Sequence, residues 1–265
     1  MQNLTSRKSI GGQAVGGRSR LAPLPALALA LALSLGAAPA TEAAQVEVLD
    51  PIALPSGFLY PNGITQVPDG TLFITDTSIP RILTLPPGAN RLSVLLWDER
   101  LASDGEGVDG IGAAGIAIAA DGQSLLVGLY GAGTVFAIED SGAGNMQARP
   151  LELQRPLENP DGFTVDRNGD LLLVEGSVAS GNGRLTRIVD PLSAGPRPVE
   201  TLVEDLDIPV NLLIDAADPS LVYVTESGLG HRFTDSRRAL STKARISAMR
   251  SLSNWVSISV DIGGK

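Results

Sequence analysis

The stretch Pro160-Asp161-Gly162-Phe163-Thr164-Val165-Asp166-Arg167-Asn168-Gly169-Asp170-Leu171-Leu172-Leu173-Val174-Glu175 decides the reading of this chain, because its pattern occurs four times. Aligned on Asp161, the other copies are Pro61-Asn62-Gly63-Ile64 to Asp76, Ala113-Ala114-Gly115-Ile116 to Leu129, and Val210-Asn211-Leu212-Leu213 to Glu226, with alignment points 52, 47 and 50 residues apart. Each copy holds a short apolar alternation, a tight-turn signal and a second apolar run, which is the signature of a β-hairpin. The turn signals are Asp69-Gly70, Asp121-Gly122, Asn168-Gly169 and Asp218-Pro219. A period near fifty residues made of short strands predicts a β-propeller in which each period is one four-stranded blade.

Working outward, the first blade is expected over 64–67, 72–75, 81–85 and 92–97, and the second over 116–119, 125–129, 134–138 and 147–153. The third is expected over 163–165, 171–174, 184–188 and 198–203. The fourth begins with 212–214 and 221–225, and there the pattern stops. Residues 230–265 form an atypical tail, as a truncated blade or a shifted reading frame would give. The fold class is therefore all-β: a propeller of six-bladed type with about four blades in this chain, since six such blades need roughly 300 residues. A closed four-bladed ring is the alternative.

Residues 1–44 read differently. Arg7, Lys8, Arg18 and Arg20 precede an apolar run from Leu24 to Ala38 that ends in Ala38-Pro39-Ala40, the three-region pattern of a cleaved signal peptide. The run is shorter than the roughly 20 residues a membrane span needs. Export to the periplasm or outside the cell is expected, with no membrane attachment after cleavage. The blades at 45–229 must hold by packing alone, because the chain has no cysteine.

Those blades carry 9 arginines, no lysine and 26 acidic residues, whereas residues 230–265 carry 7 basic and 2 acidic ones. A body of net charge −17 excludes nucleic acid as a partner and suits cations. Only one histidine is present, His231 in the tail. Histidine-activated serine chemistry and histidine-rich zinc sites are therefore not expected.

First strands of propeller blades all begin at one face around a common axis, so Asn62, Asp161 and Asn211 are expected to converge. Their amide and carboxylate oxygens are the donors a hard cation such as Ca²⁺ takes; equally, Asn and Asp cap backbone groups at strand starts. The loop from Ser103 to Gly112 offers Glu106 and Asp109 as weaker ligands. Any catalysis would use a bound divalent cation with a carboxylate as base, and Asp161 is the best placed one. A second ring, Asp76, Glu175 and Glu226, falls at the ends of the second strands, with Leu129 breaking the set. Arg81 and Arg184 follow two of these carboxylates closely, which points to structural ion pairs.

Pro160-Asp161-Gly162-Phe163 to Glu175 and Pro61-Asn62-Gly63-Ile64 to Asp76 resemble blades of the senescence-marker-protein, gluconolactonase and luciferin-regenerating-enzyme family, within the wider set of calcium-dependent phosphotriesterases and NHL-type repeats. The resemblance covers residues 45 to about 229. It implies a six-bladed propeller, a Ca²⁺ or similar ion held by a Glu, two Asn and an Asp, and hydrolysis of lactones or phosphoesters, with a small-molecule substrate such as a lactone. By motif, the Asp that is both metal ligand and base falls on Asp161, and the Asn-Gly ligand on Asn62. No glutamate stands at a first-strand start here, and blade two has Ala114 at the ligand position. A non-catalytic NHL-like propeller that binds a ligand or a protein is the alternative function.

Overall fold

The computed structural model describes residues 60–227 and two further strands, 245–250 and 255–259. The signal-like segment and His231 lie outside the described residues. Among these, sixteen strands make four antiparallel sheets of four, each a meander in chain order. Blade 1 is β1 (Pro61–Gln66), β2 (Leu72–Asp76), β3 (Arg81–Leu85) and β4 (Ser93–Trp97). Blade 2 is β5 (Ala113–Ile118), β6 (Leu125–Leu129), β7 (Thr134–Asp140) and β8 (Met146–Pro150). Blade 3 is β9 (Pro160–Val165), β10 (Leu171–Glu175), β11 (Gly183–Ile188) and β12 (Val199–Leu206). Blade 4 is β13 (Pro209–Ile214), β14 (Leu221–Glu226), β15 (Arg245–Arg250) and β16 (Trp255–Ser259). The all-β propeller reading and its four blades hold.

First strands of successive blades stack, β1 on β5, β5 on β9 and β9 on β13. The core fills the spaces between blades. Ile82, Ile116, Val127 and Phe136 close the first, Leu126, Phe163, Leu171 and Leu173 the second, and Leu172, Val174, Leu212 and Val224 the third. A sheet covered on both faces has no solvent side, so β6 and β10 are buried at all five positions and read as continuous apolar runs. Each such Leu contributes roughly 1.5–3 kcal/mol by burial. The two ends of the series differ: β1 and β13 do not stack on one another as the other first strands do, and Ile64 and Leu213 stay 62% and 65% exposed. The four blades are an open series, not the closed ring.

Every first strand starts earlier than the alternation predicts, and one irregularity explains all four. Pro61 pairs with Asp76 but Ile64 with Ile74, Ala113 with Leu129 but Ile116 with Val127, and Pro160 with Glu175 but Phe163 with Leu173. Three residues thus oppose two, a β-bulge that breaks the period-two pattern at the strand start. In β13, Pro209 pairs with Glu226 and Leu212 with Val224.

This register corrects the fourth repeat by one residue. Val210, not Asn211, is the counterpart of Asp161, and Asn211 stands where the other blades have Gly63, Gly115 and Gly162. The β13–β14 hairpin is the cause: residues 215–221 separate its last pair, against 67–71 and 166–170 in blades 1 and 3. Aligning the copies without that insertion slides Asn211 onto the wrong position. The tail is also richer in structure than its pattern suggests, since it supplies β15 and β16. Residues 227–244 precede β15, where 77–80, 130–133 and 176–182 serve in the other blades.

Candidate functional site

The bulges set the geometry of one end of the molecule, where first strands begin and second strands finish. At that end each bulge glycine meets the next first strand edge-on. A Cβ on Gly63 would lie 2.4 Å from the Ala114 carbonyl oxygen, and one on Gly115 would lie 1.8 Å from that of Asp161. No side chain fits there, so the strands approach closely and the residues before these glycines, Asn62, Ala114 and Asp161, are brought near the axis.

Asn62 and Asp161 open onto one cleft of about 450 Å³. Tyr60, Thr77 and Ser78 of blade 1 form one wall, and Tyr130, from the β6–β7 turn of blade 2, lines it as well. Gly110 and Ile111 complete it, so the acidic loop reaches the site with its backbone at its far end. Its Glu106 and Asp109 side chains are exposed, and the Asp109 carbonyl accepts from Ser103 Oγ.

Burial pushes the Asp161 carboxyl up to about 6. Tyr130 is pushed up to about 12, first by burial and then by the charge of Asp161, so the two groups sense one another across the cleft. The cleft thus holds a carboxylate poised to exchange a proton near neutral pH beside a phenol that keeps its own. Asn211 is not in this group. It lies against Gly162, and its Oδ1 accepts from the Leu212 N–H at 2.9 Å, the backbone-capping role open to any Asn at a strand start.

The donors Asp161 and Asn62 are oxygens, the right chemistry for a hard cation, but they are two where Ca²⁺ takes six to eight. Water would have to complete the shell. Among the described residues, no group of three or more His, Cys, Asp or Glu side chains is arranged to hold a metal.

The second ring is structural. Asp76 and Arg81 are fully buried and paired, with Arg81 Nε 2.9 Å from Oδ2, while Oδ1 accepts from the N–H of Tyr60 and from Ser78. Glu175 accepts from Arg155 at 2.6 and 3.0 Å, from Thr186 Oγ1 and from the Glu158 N–H, and these bonds hold its carboxyl below the usual range against the opposing effect of burial. Glu226 accepts from the Asp207 N–H at 2.8 Å. Each carboxylate clamps the chain just ahead of its blade's first strand.

Tyr130 is the residue that sequence reasoning passed over. The signal was present, because Tyr130 directly follows Leu129, the one break in the carboxylate ring. Two larger hollows, of about 830 and 560 Å³, lie elsewhere. The acids around the first (Asp69, Asp121, Glu139 and Asp140) cap their own turns or pair with Arg149; around the second, Arg149 is paired and Arg197 donates to the Gly195 carbonyl.

No family model and no curated protein matches the sequence. Solved structures match the fold. In a nidogen/laminin complex the match has a TM-score of 0.55 at 17% identity, covering 75% of this chain and 64% of that one. Virginiamycin B lyase from Staphylococcus aureus gives 0.54 at 18%, covering 80% and 59%. A gluconolactonase, XC5397 from Xanthomonas campestris, gives 0.53 at 15%, covering 76% and 62%. These are β-propeller likenesses in fold, and the chain spans about three fifths of the length of the structures it matches.

Proposed function

We propose that this protein is an exported hydrolase of lactones or related esters, with Asp161 as the base. The observation that carries the reading is Asp161 itself, a carboxyl raised to about 6 by burial at the wall of an open cleft. A general base works best when its pKa lies near the working pH, and burial is the usual means of bringing a carboxylate there. In its ionised form Asp161 takes a proton from water as the water oxygen attacks the carbonyl carbon. It then returns that proton to the ring oxygen as the ester bond breaks, leaving a hydroxy acid.

The solved gluconolactonase with the same fold supports the substrate class. Asn62 and Asp161 are the residues that would hold a divalent cation such as Ca²⁺, with water as the remaining ligands; bound there, it would withdraw charge from the carbonyl oxygen. Residues 1–44 would direct the chain to the periplasm or beyond. The described residues include no helix long and apolar enough to cross a membrane.

Asp161→Asn keeps an oxygen in place and removes the base. Hydrolysis of simple lactones should fall by roughly 10² to 10⁴, the usual size of a general-base contribution. A second reading, a non-catalytic scaffold for a ligand or protein, is favoured by the exposed apolar Ile64 and Leu213 on the end strands. It requires wild type to hydrolyse lactones no faster than Asp161→Asn, with or without millimolar Ca²⁺.

A further inference from the structure

We infer that the Tyr130 hydroxyl donates the hydrogen bond that holds the substrate's carbonyl oxygen while Asp161 serves the attacking water. This rests on the hydrolase reading above and adds to it a residue with a defined role. Tyr130 occupies the position that immediately follows the second strand. Blade 1 has Thr77 there, blade 3 Gly176 and blade 4 Ser227. It is the one aromatic side chain at that repeat position, in the one blade whose second strand ends without a carboxylate.

Its backbone is fixed on both sides. The Tyr130 N–H donates to the Gly112 carbonyl at 3.0 Å, and its carbonyl accepts from Asn159 Nδ2 at 3.3 Å. Its ring is partly buried, yet among the described residues its hydroxyl donates to no protein atom. A partly desolvated phenol held in a cleft with no protein acceptor is a donor awaiting an oxygen. Of the other hydroxyls on the cleft wall, Thr77 Oγ1 donates to the Tyr60 carbonyl at 3.2 Å and Ser78 Oγ to Asp76 at 2.9 Å, while Tyr60 is largely exposed to solvent. Gly176 keeps the space beside the phenol clear, since a Cβ there would come within 3.1 Å of the hydroxyl oxygen.

In the step so assigned, the water oxygen bonds to the carbonyl carbon and a water proton passes to Asp161. The carbonyl π electrons move onto its oxygen, which Tyr130 holds by a hydrogen bond without giving up its proton. As the tetrahedral centre collapses, the bond to the ring oxygen breaks, and that oxygen receives the proton from Asp161. Such a donor counts most where charge develops, so its loss lowers kcat more than it raises KM.

The test is hydrolysis of δ-valerolactone by wild type, Tyr130→Phe, Gly176→Ala and Asp161→Asn. Tyr130→Phe should lose roughly 10²-fold in kcat, the usual effect of removing one such donor, with little change in KM. Its melting temperature should not change, because the hydroxyl bonds to no group among the described residues. Gly176→Ala keeps the hydroxyl and crowds it, so kcat should fall less, by about three- to tenfold. Wild-type kcat in Tyr130→Phe beside an inactive Asp161→Asn would overturn the donor role and leave the hydrolase reading standing. A raised KM at unchanged kcat would also overturn it, and wild type no faster than Asp161→Asn would overturn both.

Discussion

Blade 2 and its neighbours share one bulged register and finish it in opposite ways. In blades 1 and 3 the second strand ends in Asp76 or Glu175, and the carboxylate is spent on an arginine and on the N–H groups ahead of the first strand. In blade 2 the strand ends in Leu129, buried and apolar, and the start of β5 is held instead by the Gly112 N–H donating to the Thr77 carbonyl of blade 1. The residue that follows lines the cleft in both blades, as Thr77 in blade 1 and as Tyr130 in blade 2. Anchoring and the lining of the cleft thus draw on neighbouring positions of one repeat unit, and the blade lacking the anchor supplies the phenol that lines it.

The largest effect should come from breaking a clamp. Arg81→Ala would leave the Asp76 carboxyl wholly buried and without its arginine partner. Removing one partner of a buried pair costs about 3–5 kcal/mol. Chemical denaturation should report a loss of that size, whereas Leu129→Ala in the blade without a clamp would act only through the cavity it leaves. A loss under about 1 kcal/mol for Arg81→Ala, the range of surface pairs, would mean that the clamps do not anchor the strands.

A second contrast separates inner blades from the ends of the series. Gly115→Ala places a methyl group 1.8 Å from the Asp161 carbonyl oxygen, so a strand must move. Overpacking of this kind costs about 1–3 kcal/mol, and the strand displaced is the one that carries Asp161. Asn211 holds the same repeat position in β13, where the side chain is exposed and no further described strand abuts it. Asn211→Ala should therefore change the melting temperature little and, because Asn211 stands outside the cleft, leave activity intact. Equal losses at the two positions would show that β13 is covered as the inner strands are.

The fold was legible because period and turn chemistry repeat: four copies of apolar run, tight-turn signal (Asp-Gly or Asn-Gly in three, Asp218-Pro219 in the fourth) and apolar run admit little else. Strand starts were not, because a bulge shifts side chains out of alternation, and the residues inside it (Pro61-Asn62-Gly63 and Pro160-Asp161-Gly162) read as turn. The same irregularity hid the displacement of Asn211, since only strand pairing reveals the longer β13–β14 hairpin. Of the three expected ligands, Asp161 and Asn62 share a cleft because each precedes a bulge glycine, which Asn211 does not. Tyr130 escaped notice because it belongs to no recurring motif. It is the one aromatic side chain at its repeat position, and a search for repeats finds what recurs.

The remaining effect is the one that isolates Asp161 from its surroundings. Its carboxyl sits near 6 in the folded protein against an ordinary 3.8, because burial disfavours the charged form. Well below pH 4 the group is protonated in folded and unfolded chains alike and contributes nothing to the pH dependence. Between pH 4 and 6 the folded protein keeps a proton that the unfolded chain has released, so stability must fall as pH rises through that window and level off above it. With each pKa unit equivalent to about 1.4 kcal/mol, and some solvent reaching an open cleft, the cost at pH 7 should be about 2 kcal/mol. Asp161→Asn has no charge to bury, so it should match wild type at pH 4 and exceed it above pH 6, in buffer containing chelator. The difference between the two stability curves is the measurement, because other carboxylates titrate equally in both. If that difference stays flat from pH 4 to 7, Asp161 is an ordinary solvated carboxylate, and the case for it as the base of the site fails with it.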